Sequence, residues 1–361
     1  MKRNSLLILL SLCTLMATAE DMPTGYYDRI EGTQDSILKG TLKSIIRNHT
    51  VIPYGNGSNS TWYVFYYSDR NDEGYCMDMY CDSWQKFGNA GTVVSGCNIE
   101  HSFAKSWWGG TENDAYKDCH HLNPSNKNAN SSRSNYPLGV PTQDVKDQSS
   151  TGSLRVGKAT YEGETFYVFE PKDEYKGDFA RTYFYMATCY GRDVNGNYDV
   201  VCSKYKGWRL DNKDVGSKFA MQNNNYLEFR DWEIEVLLTW HRQDPVSEKE
   251  LKRMDAVSNF QHNRNPFIEY PCLAEYIWGN KKGQPVSLAT LKNTYDEDYL
   301  NLPASQKNGC DCTTTAFETV EMDSESGAET VDNLPKKIMR NNQIYIEYNG
   351  ITYTLLGTRI E

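Results

Sequence analysis

The chain has 361 residues, 39% of them hydrophobic and 24% charged, which suffices for one large packed domain or two smaller ones and excludes a wholly disordered polypeptide. Its formal net charge of -10 excludes a surface that holds a polyanion by bulk charge; any such site has to be a local basic patch helped by a bound cation. Aromatic residues reach 13%, among them 26 tyrosines, whose hydroxyls need partners wherever the rings pack.

Residues 1–19 have the form of a secretory signal. Lys2 and Arg3 give the basic start, Leu6 to Leu15 the apolar centre, and Ala17-Thr18-Ala19 a small-residue site that predicts cleavage after Ala19. The apolar run is too short to span a bilayer, and no later run is apolar enough. The mature protein is therefore expected to be soluble and secreted, periplasmic or at the cell surface. Nine of the ten cysteines remain after loss of Cys13, and an exported chain can keep disulfides, but spacing does not define their pairing. No C-x-x-C or H-x-x-x-H spacing favours zinc.

Ile37, Leu38, Leu42, Ile45 and Ile46 form a helical stripe after Ser36. "TWYVFYY", Thr61 to Tyr67, is β-branched and aromatic and predicts a strand, and a second strand is expected to end at Glu100-His101. Gly163, between two alternating runs, predicts a hairpin over 158–171. Helices are expected over 177–191, stopped by Gly191, and over 225–245, stopped by Asp244-Pro245. A third opens on a capping box, Ser247 with Glu250, and is expected to end at Asn265-Pro266. The body is predicted to run over 20–312. Residues 313–334 carry only acidic charges and predict a linker. In 335–361, apolar runs flank Asn349-Gly350 as in a β-hairpin. This tail is similar to short C-terminal β modules that serve sorting or surface attachment in secreted bacterial proteins; the alternative is an edge hairpin packed on the body.

Chemistry concentrates between residues 100 and 135. Glu100-His101 closes a predicted strand, and "DCHHLNPSNKNANSSRSNYPLG", Asp118 to Gly139, holds almost nothing that fills a core. Pro124 is expected to open a short helix, placing Asn126 and Asn130 on one face. A carboxylate and an amide oxygen are hard ligands that suit Mg²⁺ or Ca²⁺ and leave positions open for water and phosphate oxygens. A neutral imidazole beside them can take a proton from water. These parts together suit hydrolysis of a phosphodiester.

"NIEHSFAKSWW" followed by "DCHHLNPSNKNANSSRSNYPLG" resembles the bacterial endonuclease I family, secreted or periplasmic nucleases with a ββα-metal (His-Me finger) active site. The likeness continues through "GDFARTYFYMATCY" and "WHRQDPVSEKELKRMDAVSNFQHNRNPFIEYP" and covers roughly residues 30 to 290. It implies an α+β fold with a ββα-metal core inside further helices and strands. It also implies a secreted endonuclease of low sequence specificity on DNA, RNA or both. One divalent cation would sit on Glu100 and Asn130, Mg²⁺ before Ca²⁺ or Mn²⁺, with His101 as general base. Arg133 would contact or orient phosphate, and Asp118, His120 and Asn135 would support the site. Asn263, Arg264 and Asn265 would line or brace the cleft.

The chain departs from the family in the loop "SFAKSWWGGTENDAYK", which has no arginine. Lys105, Arg133 or Arg264 is left to steady the phosphate. Asn123 stands where an aromatic is common. Ordinary roles compete with these: His120, His121, His241 and His262 as satisfied structural histidines, and Trp107 and Trp108 as packing rather than base-stacking platforms. The alternative functions are a catalytically weak secreted or surface-attached binding module on the same fold, or a hydrolase of another phosphodiester.

Overall fold

The computed structural model describes residues 23–81, 85–147, 154–303 and 307, with the backbone of 336–340, 343–348 and 351–354. The signal sequence with Cys13, the acidic linker 313–334, Cys310, Cys312 and the Asn349-Gly350 turn lie outside the described residues. The chain divides into two compact units, Met1–Cys312 and Thr313–Glu361.

In chain order the first unit contains α1 (Asp35–Ile46), α2 (Thr61–Ser68), β1 (Cys97–His101), α3 (Asp114–Lys117), β2 (Leu122–Asn126), α4 (Lys127–Arg133), β3 (Gln143–Asp147), β4 (Leu154–Tyr161), β5 (Glu164–Pro171), α5 (Lys176–Cys189), α6 (Ser217–Ala220), α7 (Asp231–Gln243), α8 (Glu248–Gln261), α9 (Pro266–Glu269), α10 (Leu273–Ile277) and α11 (Glu297–Leu300). Two small antiparallel sheets, β1-β2 and β3-β4-β5, sit among the helices, so the fold is α+β, as expected. The second unit holds an antiparallel β6 (Lys336–Arg340), β7 (Gln343–Tyr348) and β8 (Ile351–Thr354). Among the described residues no helix is long and apolar enough to cross a membrane.

β1 pairs antiparallel with β2, with Glu100 opposite Asn123 and His101 opposite Leu122, and α4 follows β2 directly. This is the ββα unit. Pro124 does not open the helix, as its sequence position suggested; it lies in β2 opposite Ile99. A two-stranded ribbon has only edges, where a residue without an N–H is tolerated. Asn126 is the N-cap of α4, its side chain accepting from the N–H groups of Asn128 and Ala129, so it does not share a ligand face with Asn130.

The expected strand at Thr61–Tyr67 is a helix, α2. The segment lacks a charged residue to reveal its period, and packing overrides its β propensity. Thr61, Trp62, Val64, Phe65 and Ser68 are buried, the spacing of a helical face, and α2 packs on α8. The hairpin over 158–171 forms as expected, with Glu162 and Gly163 both at positive φ. α8 starts at Ser247, whose hydroxyl accepts from the Glu250 N–H, but Glu250 turns its carboxylate to Arg181. The helix ends on His262 in the left-handed region, and Asn265-Pro266 opens α9 instead of closing α8.

The core is built around α5, which packs on α1 and α7. Phe103, in the loop after β1, meets Trp107, Tyr183 and Trp208 with ring centroids 4.8, 5.0 and 5.2 Å away. Trp107 and Trp108 are fully buried, so they pack as expected and hold the β1–β2 loop down. Truncating such a ring costs about 3–5 kcal/mol.

Candidate active site

A cleft of about 660 Å³ opens beside the ββα unit. Glu100 and His101 from β1, Asn130 from α4, and Lys105 from the following loop all line it. Thus the three residues expected to carry the chemistry share one cavity, although 29 positions separate the histidine from the asparagine.

His101 is buried, and its Nε2 lies 3.0 Å from the carbonyl oxygen of Tyr116. A carbonyl only accepts, so Nε2 carries the proton and Nδ1 keeps its lone pair. Tyr54 stacks on the imidazole at 5.7 Å with an interplanar angle of 24°. Burial, followed by the neighbouring His121 and Lys105, pushes the imidazole well below its ordinary range. It is neutral at physiological pH, the form a base requires.

Glu100 is buried, with Oε1 accepting from the Tyr80 hydroxyl at 2.9 Å and lying 3.4 Å from Arg133 Nη1. Burial lifts its carboxyl to about 7, against the opposing pull of Arg133 and Tyr80. Asn130 donates through Nδ2 to Asn98 Oδ1 at 2.8 Å, which turns its carboxamide oxygen away from Asn98. Asn98 precedes Glu100 by two residues on β1, so both sit on one face of the strand and line the cleft.

Arg133, at the end of α4, also lines the cleft. It is 1% exposed, and its guanidinium donates to the carbonyls of His101, Ser102 and Ser134 and to the Tyr183 hydroxyl. It ties the end of β1 to α4. Asn135 lines the cleft but accepts from the Gly216 N–H at 2.7 Å and donates to the Asp214 carbonyl at 3.2 Å.

The remaining expected residues gather elsewhere. Asp118 Oδ2 accepts from the hydroxyls of Tyr185 and Tyr190 at 2.7 and 2.8 Å, and Oδ1 from the His120 N–H and Gln261 Nε2 at 2.9 and 3.0 Å. Burial raises this carboxyl, yet His49, His120, His121 and Gln261 outweigh it and hold the group far below the usual range. His120 Nε2 lies 3.1 Å from Asn263 Oδ1, and Asn263 Nδ2 donates to Ile46 O and the Tyr185 hydroxyl. Arg264 pairs with Asp255 and Glu269, both at 2.9 Å. Asn265 caps α9 and donates to Arg181 O. None of these five residues lines the cleft.

His49, Asp118 and Cys189 place one ligand-type atom each within 4.8 Å of one another. Four hydrogen bonds already fill the Asp118 oxygens, and burial raises the Cys189 thiol, so these two have little left to offer an ion, while His49 Nδ1 is buried without a hydrogen-bond partner.

Tyr80, Tyr54 and Asn98 escaped the sequence reading. Asn98 carried a signal, since strand period two places it beside Glu100. Tyr80 and Tyr54 carried none, being two among 26 tyrosines.

The family model for Endonuclease I matches residues 34–272. An extracellular ribonuclease of Bacillus subtilis (strain 168) is 34% identical over 275 residues, covering 75% of this chain and 83% of that one. An extracellular ribonuclease of Bacillus amyloliquefaciens is 31% identical over 258 residues, covering 70% and 78%. With its ββα unit, its cleft and a match over most of its body, the chain belongs to the endonuclease I family of phosphodiester-cleaving hydrolases.

Proposed function

We propose that the protein is an exported, divalent-cation-dependent endonuclease of low sequence specificity, made with a signal sequence over 1–19 and cleaved after Ala19. One observation carries this reading: an imidazole with a free Nδ1 lone pair, a buried carboxylate and an amide oxygen line the same cleft. Their chemistry fits a hard dication, because the side chains of Glu100 and Asn130 have only oxygen to offer as ligand atoms. Glu100 and Asn130 would hold that ion, Mg²⁺ by choice of ligands. When bound, it supplies charge neutralisation at the phosphoryl and leaving oxygens.

The chain's own residues do the rest. His101 Nδ1 removes a proton from water, while the Tyr116 carbonyl fixes the tautomer and Tyr54 fixes the ring. Lys105 takes the part of the missing loop arginine. It is exposed at the cleft, its Nζ lying 3.3 Å from the Tyr116 hydroxyl and 5.1 Å from that ring's centroid. Arg133 and Arg264 are already committed to buried partners. Gripping phosphate through a cation and a lysine reads little base identity. The named relatives are ribonucleases, which supports RNA as a substrate, with DNA as the other nucleic acid to test. Residues 313–334 would act as a linker and 335–361 as a sorting or attachment module.

The test is cleavage of plasmid and of RNA by the mature chain, with Mg²⁺ and with EDTA, beside His101→Ala and Lys105→Met. Cleavage requires Mg²⁺ and His101, and Lys105→Met loses about 10- to 100-fold. Cleavage that survives EDTA or His101→Ala defeats the mechanism. A wild type that cuts neither nucleic acid favours a binding module, or a hydrolase of another phosphodiester, on the same fold.

A further inference from the structure

Cys76 and Cys97 come from different segments into one small apolar cluster with Trp62, Phe65, Val94 and Leu122. Each is 1% exposed. Both are free thiols here, and their side chains hydrogen-bond to each other, which raises Cys76 and lowers Cys97. The other buried thiols lie apart from this pair: Cys119 packs with Ile52, Val64 and Val257, and Cys189 and Cys202 lie in the main core. Both members of the pair also belong to parts that shape the cleft. Cys97 opens β1, three residues before Glu100. Cys76 begins the stretch in which Asp78 accepts from Ser125 and the Asn126 N–H at the end of β2, and Tyr80 donates to Glu100.

We propose that Cys76 and Cys97 form a disulfide that fastens the Tyr80-bearing loop to the strand carrying Glu100 and His101. The proposal rests on the reading that the chain is exported, since an oxidising compartment is needed. The two thiols lose two protons and two electrons as the sulfur–sulfur bond forms. A disulfide of an exchange protein in that compartment accepts them and becomes two thiols. The cross-link forms during folding, because the finished protein buries both sulfurs. It sets no chemistry in the cleft; it limits how far Tyr80 can drift from Glu100.

The test is a peptide map of the full chain, produced through an export pathway, alkylated without reduction and digested with trypsin. Cleavage after Arg70, Lys86 and Lys105 places Cys76 and Cys81 in one peptide, 71–86, and Cys97 in another, 87–105. The two peptides are expected to run as one species that separates on reduction, both in wild type and in Cys81→Ser. Alkylated Cys76 and Cys97, or a link that disappears in Cys81→Ser, overturns the proposal. A double-mutant cycle gives a second readout. Cys76→Ala lowers the melting temperature by roughly 5–15 °C, and adding Cys97→Ala lowers it little further. Additive losses overturn the coupling. The map needs no nuclease activity, so failure of the cross-link and failure of the proposed reaction are told apart.

Discussion

Two polar regions of this molecule are built from the same residue types and end in opposite states. Around Asp118, a carboxylate, imidazoles, an asparagine and a glutamine are sealed in, and four donors fill the carboxylate's oxygens. Around Glu100, a carboxylate, an imidazole and an asparagine face a cleft with lone pairs to spare. In the first, every charge-bearing atom of Asp118 is spent on the fold; in the second, only part is spent, through Tyr80, Tyr116 and Asn98. Residue type therefore does not separate structure from chemistry here. The number of lone pairs left over does.

Removing the proposed base from the open region gives the largest effect. His101→Ala is expected to lower cleavage by about 10²- to 10⁴-fold at saturating Mg²⁺ with the melting temperature nearly unchanged. A large drop in melting temperature would place His101 with the sealed group instead. The same change in the sealed region does the reverse: Asp118→Ala costs about 3–5 kcal/mol by chemical denaturation, because Tyr185, Tyr190 and Gln261 lose a shared acceptor.

Acid titrates the sealed region too. Burial lowers His120 and His121 to about 4, so between their ordinary 6.5 and about 4 only the unfolded chain takes up their protons. Stability is lost as pH falls through that window. The carboxyl of Asp118, held low in the fold, adds a further loss once pH drops below its unfolded value near 4. A melting temperature that stays flat from pH 7 to 4 would contradict the sealed state of both imidazoles.

The contrast explains what the sequence disclosed. Glu100, His101 and Asn130 were legible because their spacing fits a family pattern and their ligand types fit a hard cation. The hairpin at Gly163 and the helices α1, α5, α7 and α8 were legible from period and turn chemistry. By contrast, α2 was hidden by an unbroken apolar run, and β2 by a proline that reads as a helix start. Arg133 and Asp118 belong to the same motifs as Glu100, His101 and Asn130, so only burial and partners reveal how many of their polar atoms the fold already uses. Tyr80 reaches Glu100 across a fold that no local pattern encodes.

Asn98 sharpens the comparison at an intermediate scale, since it spends one bond on orienting Asn130, a proposed ligand. Asn98→Ala frees the Asn130 carboxamide to rotate, and Mg²⁺ affinity, read by calorimetry on the protein alone, is expected to fall about 10-fold. Asn98→Asp keeps an acceptor for Asn130 Nδ2 and restores most of the amide's orientation. If Asn98→Ala binds the ion as wild type does, the hydrogen bond is incidental.

Glu233 on α7 is a third case, and the smallest effect belongs to it. It is sealed like Asp118, yet neither carboxyl oxygen has a hydrogen bond of good geometry, and it opens onto no cleft. Burial pushes its carboxyl well above the ordinary value, against the pull of the Leu138 N–H and Arg133. A raised carboxyl means the folded chain holds a proton that the unfolded chain releases above about pH 4.5. Its contribution therefore weakens stability as pH rises from that point toward the folded value, the opposite sign to Asp118. Glu233→Gln removes the ionisation while keeping the shape, so it should stabilise the protein by about 1–2 kcal/mol at pH 8 and by less at pH 5. A variant no more stable than wild type at pH 8 would mean that Glu233 has found a partner. It would then be satisfied, and would join the Asp118 region as another carboxylate spent on the fold.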